Sequence, residues 1–212
     1  HRRKDLAGMS NSTRGILSGG RDGSAAIQFS DIDFITIASL GNAQDFGNLT
    51  FSGAYLASAS NQIRGVTAGG NSAPNYWNII NFVTIATTGT KSDFGNLLSA
   101  TEQPAACANS IRGLVGGGTN SGGVTNVIQY VTISSTGNAI DFGNLVIAKM
   151  SGGLASSATR AVYIAGQNSS GDALDTIDAF EIASTGNAVD FGDIADGSRD
   201  FNAACSNGHG GL

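Results

Sequence analysis

Charge is scarce in this chain: charged side chains make up 13% of 212 residues, against a usual value of about 25%. Cations are scarcer still, with 11 Lys and Arg against 16 Asp and Glu, a formal net charge of −5. The only basic run is His1-Arg2-Arg3-Lys4. Binding to a phosphate backbone draws on clustered Lys and Arg, so nucleic acid is not an expected partner. The two histidines, His1 and His209, stand at opposite ends and no Cys-x-x-Cys pair occurs, which leaves no zinc-type ligand set. No metal and no cofactor is expected. Cys107 and Cys205 have no histidine to activate a thiol nucleophile. No stretch reaches the roughly 18 apolar residues of a spanning helix, so membrane insertion is not expected.

What the chain has in quantity is glycine, 31 residues, each costing about 1 kcal/mol relative to alanine inside a helix. Hydrophobic residues reach 41%, too many for disorder. Short strands joined by glycine turns satisfy both facts. The order of those strands is set by an internal repeat. Asp-Phe-Gly-Asn-Leu begins at Asp45, Asp93 and Asp141, and Asp-Phe-Gly-Asp-Ile at Asp190. Ahead of each lies an Ile-x-aromatic-Val-Thr-Ile type segment from Ile32, Ile80, Ile128 and Ile177, and between the two a turn such as Ser-Thr-Gly-Asn-Ala. Further upstream, Arg14, Arg64, Arg112 and Arg160 each precede a glycine by six residues.

Each copy reads as four strands: a small-residue run, an Arg-Gly-apolar run, the aromatic-bearing third strand and the brief Asp-Phe-Gly strand. Two adjacent apolar residues in the third strand (Phe34-Ile35, Phe82-Val83, Tyr130-Val131) predict burial on both faces. The copies run over about 1–49, 50–97, 98–145 and 146–194, with a partial fifth over 195–212. Leu212 aligns with Leu114, inside a second strand. Such a stop predicts a piece of a larger array or a chain whose closing strands come from elsewhere, with about five blades as the simplest ring.

The paired glycines (Gly19-Gly20, Gly69-Gly70, Gly117-Gly118, and Ala165-Gly166 in the fourth copy), the aromatic of the third strand and the aromatic of the fourth resemble the kelch repeat. Phe46, Phe94, Phe142 and Phe191 stand where kelch repeats usually carry tryptophan. The wording of the whole repeat looks like kelch-type repeats in virion proteins of tailed phages, notably marine ones. The resemblance implies an all-β, kelch-like β-propeller of four complete four-stranded blades plus a partial fifth. It implies a virion location, tail or fibre-associated, with other virion or assembly proteins and a host-surface glycan as partners. Homo-oligomerisation is a further expectation.

Asp-Phe-Gly also occurs in protein kinases, but here it recurs at blade period with no glycine-rich nucleotide loop or strand lysine. It reads as a phenylalanine wedge and a glycine turn. The four repeat arginines read as structural, with Asp45, Asp93, Asp141 and Asp190 as their expected partners. Asp31 with Asp33, and Asp172, Asp175 and Asp178, lack calcium-loop spacing and read as a solvated strand edge. Cys107 and Cys205 share a first-strand position that is apolar in the other copies (Met9, Ala59, Ala155), which predicts two buried free thiols.

Function is expected where the copies differ. The second-to-third-strand loops read Arg21-Asp22-Gly23-Ser24, Asn71 through Trp77, Thr119 through Gly123 and Gln167 through Gly171. In a propeller they share one face with the links between copies, and variable loops on a rigid scaffold carry binding. Tyr76 and Trp77 are the expected anchor, with Asn75, Arg21, Asp22, Asn120 and Asn168 around them. No nucleophile–base pair or pair of facing carboxylates is evident, so a non-enzymatic structural or binding module is expected. The alternative is a secreted bacterial propeller lectin or carbohydrate-active enzyme.

Overall fold

A computed structural model of the chain describes residues 2–23 and 27–206. His1, Ser24, His209 and the stop at Leu212 inside a second strand lie outside the described residues. All regular structure among the described residues is β, in four antiparallel four-stranded sheets that follow the repeat. The first sheet holds β1 (Ala7–Ser10), β2 (Arg14–Ser18), β3 (Asp31–Thr36) and β4 (Gln44–Asn48). The second holds β5 (Ala57–Ser60), β6 (Arg64–Ala68), β9 (Ile79–Thr84) and β10 (Ser92–Asn96), with a hairpin of β7 (Asn71–Ser72) and β8 (Asn75–Tyr76) before β9. The third is built alike from β11 (Ala105–Ala108), β12 (Arg112–Gly116), β15 (Val127–Thr132) and β16 (Ile140–Asn144), its hairpin being β13 (Thr119–Asn120) and β14 (Gly123–Val124). The fourth holds β17 (Gly153–Ser156), β18 (Arg160–Gln167), β19 (Ala173–Glu181) and β20 (Val189–Asp193).

The small residues of the first strands let those strands crowd together at a common centre, where β1, β5, β11 and β17 pack side by side. Hydroxyls tie them: Ser60 Oγ donates to the Ser10 carbonyl at 2.7 Å and Ser156 Oγ to that of Ala108 at 2.9 Å. Ser206 Oγ repeats the bond, donating to the Ser156 carbonyl at 2.6 Å. Farther out the sheets splay, and bulky side chains fill the gaps. One core joins Ile16, Phe34 and Phe46 to Val83 and Ile85 of the next sheet. A second joins Val66 and Phe94 to Val115 and Val131. A third joins Leu114 and Phe142 to Tyr163, Phe180 and Ile182. Each fully buried aromatic or branched side chain contributes about 1.5–3 kcal/mol, so the sheet-to-sheet gaps hold most of the stabilising apolar burial.

Backbone bonds also cross between sheets. The turn before each fourth strand donates to the fourth strand of the sheet before it: Gly89 N–H to Phe46 O, Gly137 to Phe94 and Gly186 to Phe142, all at 2.6–2.7 Å. The approach leaves no room for a side chain on the strand. A Cβ at Gly47, Gly95 or Gly143, all at φ 141–148°, would meet a carbonyl oxygen at 2.2–2.4 Å. In strand three, Asn81 and Gln129 accept the N–H of Thr50 and Leu98, and Asp178 accepts that of Val146.

Several sequence expectations are corrected. The repeat arginines do not pair with the repeat aspartates, all four of which are exposed. Asp45 and Asp190 instead accept the N–H two residues on. Arg14, Arg64 and Arg112 lie 4.5–4.7 Å over the rings of Phe34, Phe82 and Tyr130. Each also donates to the carbonyl of Ile85, Ile133 or Ile182 in the following sheet. A guanidinium can do both at once, having a flat cationic face and five donors. In the fourth copy Ala179 replaces the aromatic, and Arg160 meets Glu181 at 3.0 Å in an exposed pair.

Phe191 is also unlike its counterparts. Phe46, Phe94 and Phe142 are 2% exposed and Phe191 58%; among the described residues no turn donates to β20 as Gly89, Gly137 and Gly186 donate to the three earlier fourth strands. Burial on both faces of the third strand holds for β9 and β15. It fails for β3, where Ile35 is exposed. Cys107 is buried and free as expected, whereas Cys205, also free, is exposed. The acidic groups do not form a solvated edge throughout. Asp33 is bound by Arg3, and the buried Asp178 takes Lys149 Nζ at 2.8 Å. No metal-binding cluster is found among the described residues.

Candidate binding pocket

The links between sheets reach the centre two residues before each first strand, and there the chain turns left-handed. Asp5, Tyr55, Gln103 and Ser151 have φ of 55–57°, and Phe201 has φ 50°. A non-glycine residue in that region costs on the order of 1–3 kcal/mol and needs its surroundings to hold it. What holds the first four is a ladder around the hub that continues to Asn202, the neighbour of Phe201. Tyr55 N–H donates to Asp5 O at 2.9 Å, Gln103 to Tyr55 and Ser151 to Gln103 at 3.1 Å, and Asn202 to Ser151 at 3.3 Å. The residue before each of the first four left-handed positions pairs with the residue after the double glycine or its Ala165-Gly166 counterpart, as in Lys4 with Arg21, Ala54 with Asn71, Glu102 with Thr119 and Met150 with Gln167. This pairing puts the links between sheets and the second-to-third-strand loops on one face, as the sequence predicted.

The five left-handed residues surround one cavity of about 250 Å³. Its lining alternates them with their successors: Asp5-Leu6, Tyr55-Leu56, Gln103-Pro104, Ser151-Gly152 and Phe201-Asn202. The backbone is the same five times over and the side chains differ every time, from acid to phenol, amide, hydroxyl and phenyl. Phe201 is 62% exposed. Asn202 donates its amide to the Ile164 carbonyl at 3.1 Å, while its buried Oδ1 has no hydrogen-bond partner among the described residues. Gln103 Oε1 accepts from Ser151 Oγ at 3.2 Å.

A polar cluster supports one side of the cavity. Arg21 Nε donates to Asp5 Oδ2 at 2.6 Å, its terminal nitrogen reaches the Tyr55 hydroxyl, and its carbon lies 4.6 Å over the Tyr55 ring. Burial, with Asp5 close by, raises the Tyr55 phenol above its ordinary value despite Arg21. Burial likewise raises Glu102, opposed by hydrogen bonds from Asn71 and Tyr76 and by the charge of Arg21. The cluster therefore holds Tyr55 rigid and protonated at neutral pH.

Of the residues expected to bind, Arg21 and Tyr76 fall in this cluster, supporting the pocket without lining it. The half-buried ring of Trp77 packs on Phe51, with centroids 5.3 Å apart. Asn120 and Asn168 shape their own loops, accepting the N–H of Gly122 at 2.8 Å and of Ser170 at 2.9 Å. Asn75 is exposed at the start of β8, and Asp22 lies half-buried beyond Arg21. The pocket residues were missed, although their position is the one at which Asp, Tyr, Gln, Ser and Phe replace one another at repeat spacing.

No protein-family model matches the chain, and no curated protein does. Among solved structures, one described as the structure of YjhT is similar over 93% of this chain and 67% of that one, with a TM-score of 0.76 and 9% identity. At that identity the likeness concerns the fold alone: this chain is all-β, with a propeller-like array of four-stranded sheets.

Proposed function

We propose that this chain is a non-enzymatic binding module whose ligand seat is the hub pocket of the loop face. The observation that carries it is the left-handed ring: five strained positions with one conformation and five different side chains around a single cavity. A purely structural hub would gain nothing from that variety, whereas loops on a rigid scaffold are where recognition is built. In architecture the chain is read as a kelch-like propeller of four complete blades. Residues 203–206 are read as the first strand of a partial fifth blade, since Ser206 repeats the bond of Ser60 and Ser156. In setting it is read as a phage virion component, tail or fibre-associated, contacting host surfaces or neighbouring particle proteins. The repeat wording supports that setting.

The test is a binding screen against glycan and protein arrays, repeated with Tyr55→Ala/Phe201→Ala and with Asn75→Ala as a control on the loops. Loss of the selected ligand in the pocket variant alone supports the reading. Unchanged binding, or turnover of a glycosidase, esterase or oxidase substrate, refutes it. Immunodetection of the chain in purified tailed-phage particles tests the setting.

A further inference from the structure

We infer that the hub pocket takes a single uncharged hexopyranose ring, an inference that rests on the pocket being the ligand seat. At about 250 Å³ the cavity lies below the roughly 300–1,000 Å³ of sites for drug-sized ligands, so it suits one ring better than an oligosaccharide. Sugars present an apolar C–H face and a rim of hydroxyls. Phe201, exposed at 62% on the cavity lining, offers an aromatic face on which a ring can stack. The rim meets matching groups. Asp5, whose Oδ2 is taken by Arg21, has a second carboxylate oxygen for a hydroxyl, and Gln103 and Ser151 supply both donor and acceptor atoms.

Charge decides between neutral and acidic sugars. No cationic side chain lines the cavity among the described residues, and Arg21 is committed to Asp5 and Tyr55. A sugar acid would bring in a carboxylate that no free cation in the lining can pair, because Arg21 is already held by Asp5, and an unpaired charge is costly to take from water. The pocket therefore prefers glucose-type rings to their uronic or sialic counterparts.

Titration calorimetry or saturation-transfer NMR with methyl glycosides of glucose, galactose, mannose and N-acetylglucosamine, against glucuronate and sialic acid, tests this. The expected result is binding of at least one neutral glycoside, with glucuronate weaker than glucose. Phe201→Ala should weaken the neutral ligand on the order of tenfold, Asp5→Asn should narrow the neutral-over-acid gap, and Phe191→Ala should change nothing. Equal or tighter binding of the acids, or indifference to Phe201→Ala, overturns the inference. If no neutral glycoside binds but a protein ligand is lost in Tyr55→Ala/Phe201→Ala, the sugar assignment fails and the binding reading stands. If no ligand of any class responds to that variant, both fail.

Discussion

Two residues in ordinary repeat positions carry unusual chemistry. Lys91 stands where the other copies have alanine (Ala43, Ala139, Ala188), and it is 2% exposed. Its Nζ donates to Ser18 Oγ at 3.0 Å and also to Thr67 Oγ1. Burial alone drives its pKa well below the ordinary lysine value. Above pH about 10.4 folded and unfolded chains both carry the neutral amine and nothing is lost. As pH falls below that, the unfolded chain takes up a proton the folded one refuses. Stability then drops by up to about 1.4 kcal/mol per pH unit until the folded pKa is reached. Lys91→Met is therefore expected to raise the urea midpoint at pH 7, by an amount that shrinks towards pH 10.5. A pH-independent difference would contradict this. The two thiols should separate as cleanly. Burial pushes Cys107 up to about 12, so a thiol reagent at pH 8 should label Cys205 in the native chain and both only after denaturation. Rapid native labelling of both would show that the first-strand register is wrong.

At the level of strands and turns, the repeat made the sheets legible: composition, turn glycines and apolar pairs all predicted four-stranded units at the observed positions. What the repeat concealed was which partner each repeated residue meets. Arginine and aspartate recur together in sequence, and pairing them was natural. The guanidinium instead bridges an aromatic ring to a carbonyl of the next sheet, a contact between elements that spacing within one copy cannot encode. The glycine of Asp-Phe-Gly shows the same logic and gives a test. Gly95 and Gly192 share a positive φ, 148° and 138°. A Cβ at Gly95 would meet the Gly137 carbonyl oxygen at 2.3 Å, whereas at Gly192 it meets nothing within 4 Å. Both alanine variants bear the conformational cost of about 1–3 kcal/mol; only Gly95→Ala adds a backbone clash. Thermal denaturation should place Gly95→Ala well below Gly192→Ala. Equal destabilisation would mean the turn-to-strand contact is absent.

For the whole molecule, the fold follows from the repeat but the binding seat follows from departures from it. The pocket was hard to see in sequence because left-handed backbone at Asp, Tyr, Gln, Ser and Phe has no residue signature of the kind glycine provides. What relates the five positions is their shared left-handed backbone and common cavity, with a hydrogen-bond ladder that joins the first four and continues to Asn202. The outer surfaces are legible in the same way. On β20, Val189 and Phe191 are 65% and 58% exposed, and no described residue donates to the Phe191 carbonyl as Gly89 does to Phe46. An open strand edge beside apolar surface favours association. Sedimentation should show concentration-dependent self-association of the isolated chain that Phe191→Asn with Val189→Lys reduces; a monomer at all concentrations would contradict this. The account's central claim is that ligand binds at the hub ring. Amide chemical-shift mapping of the chain, with the best glycan or protein ligand from the screen, tests it most directly. The predicted result is a cluster of shifts at Asp5, Tyr55, Gln103, Ser151 and Phe201; shifts confined to the Asn75–Trp77 and Asn168 loops, with the ring unmoved, would contradict it.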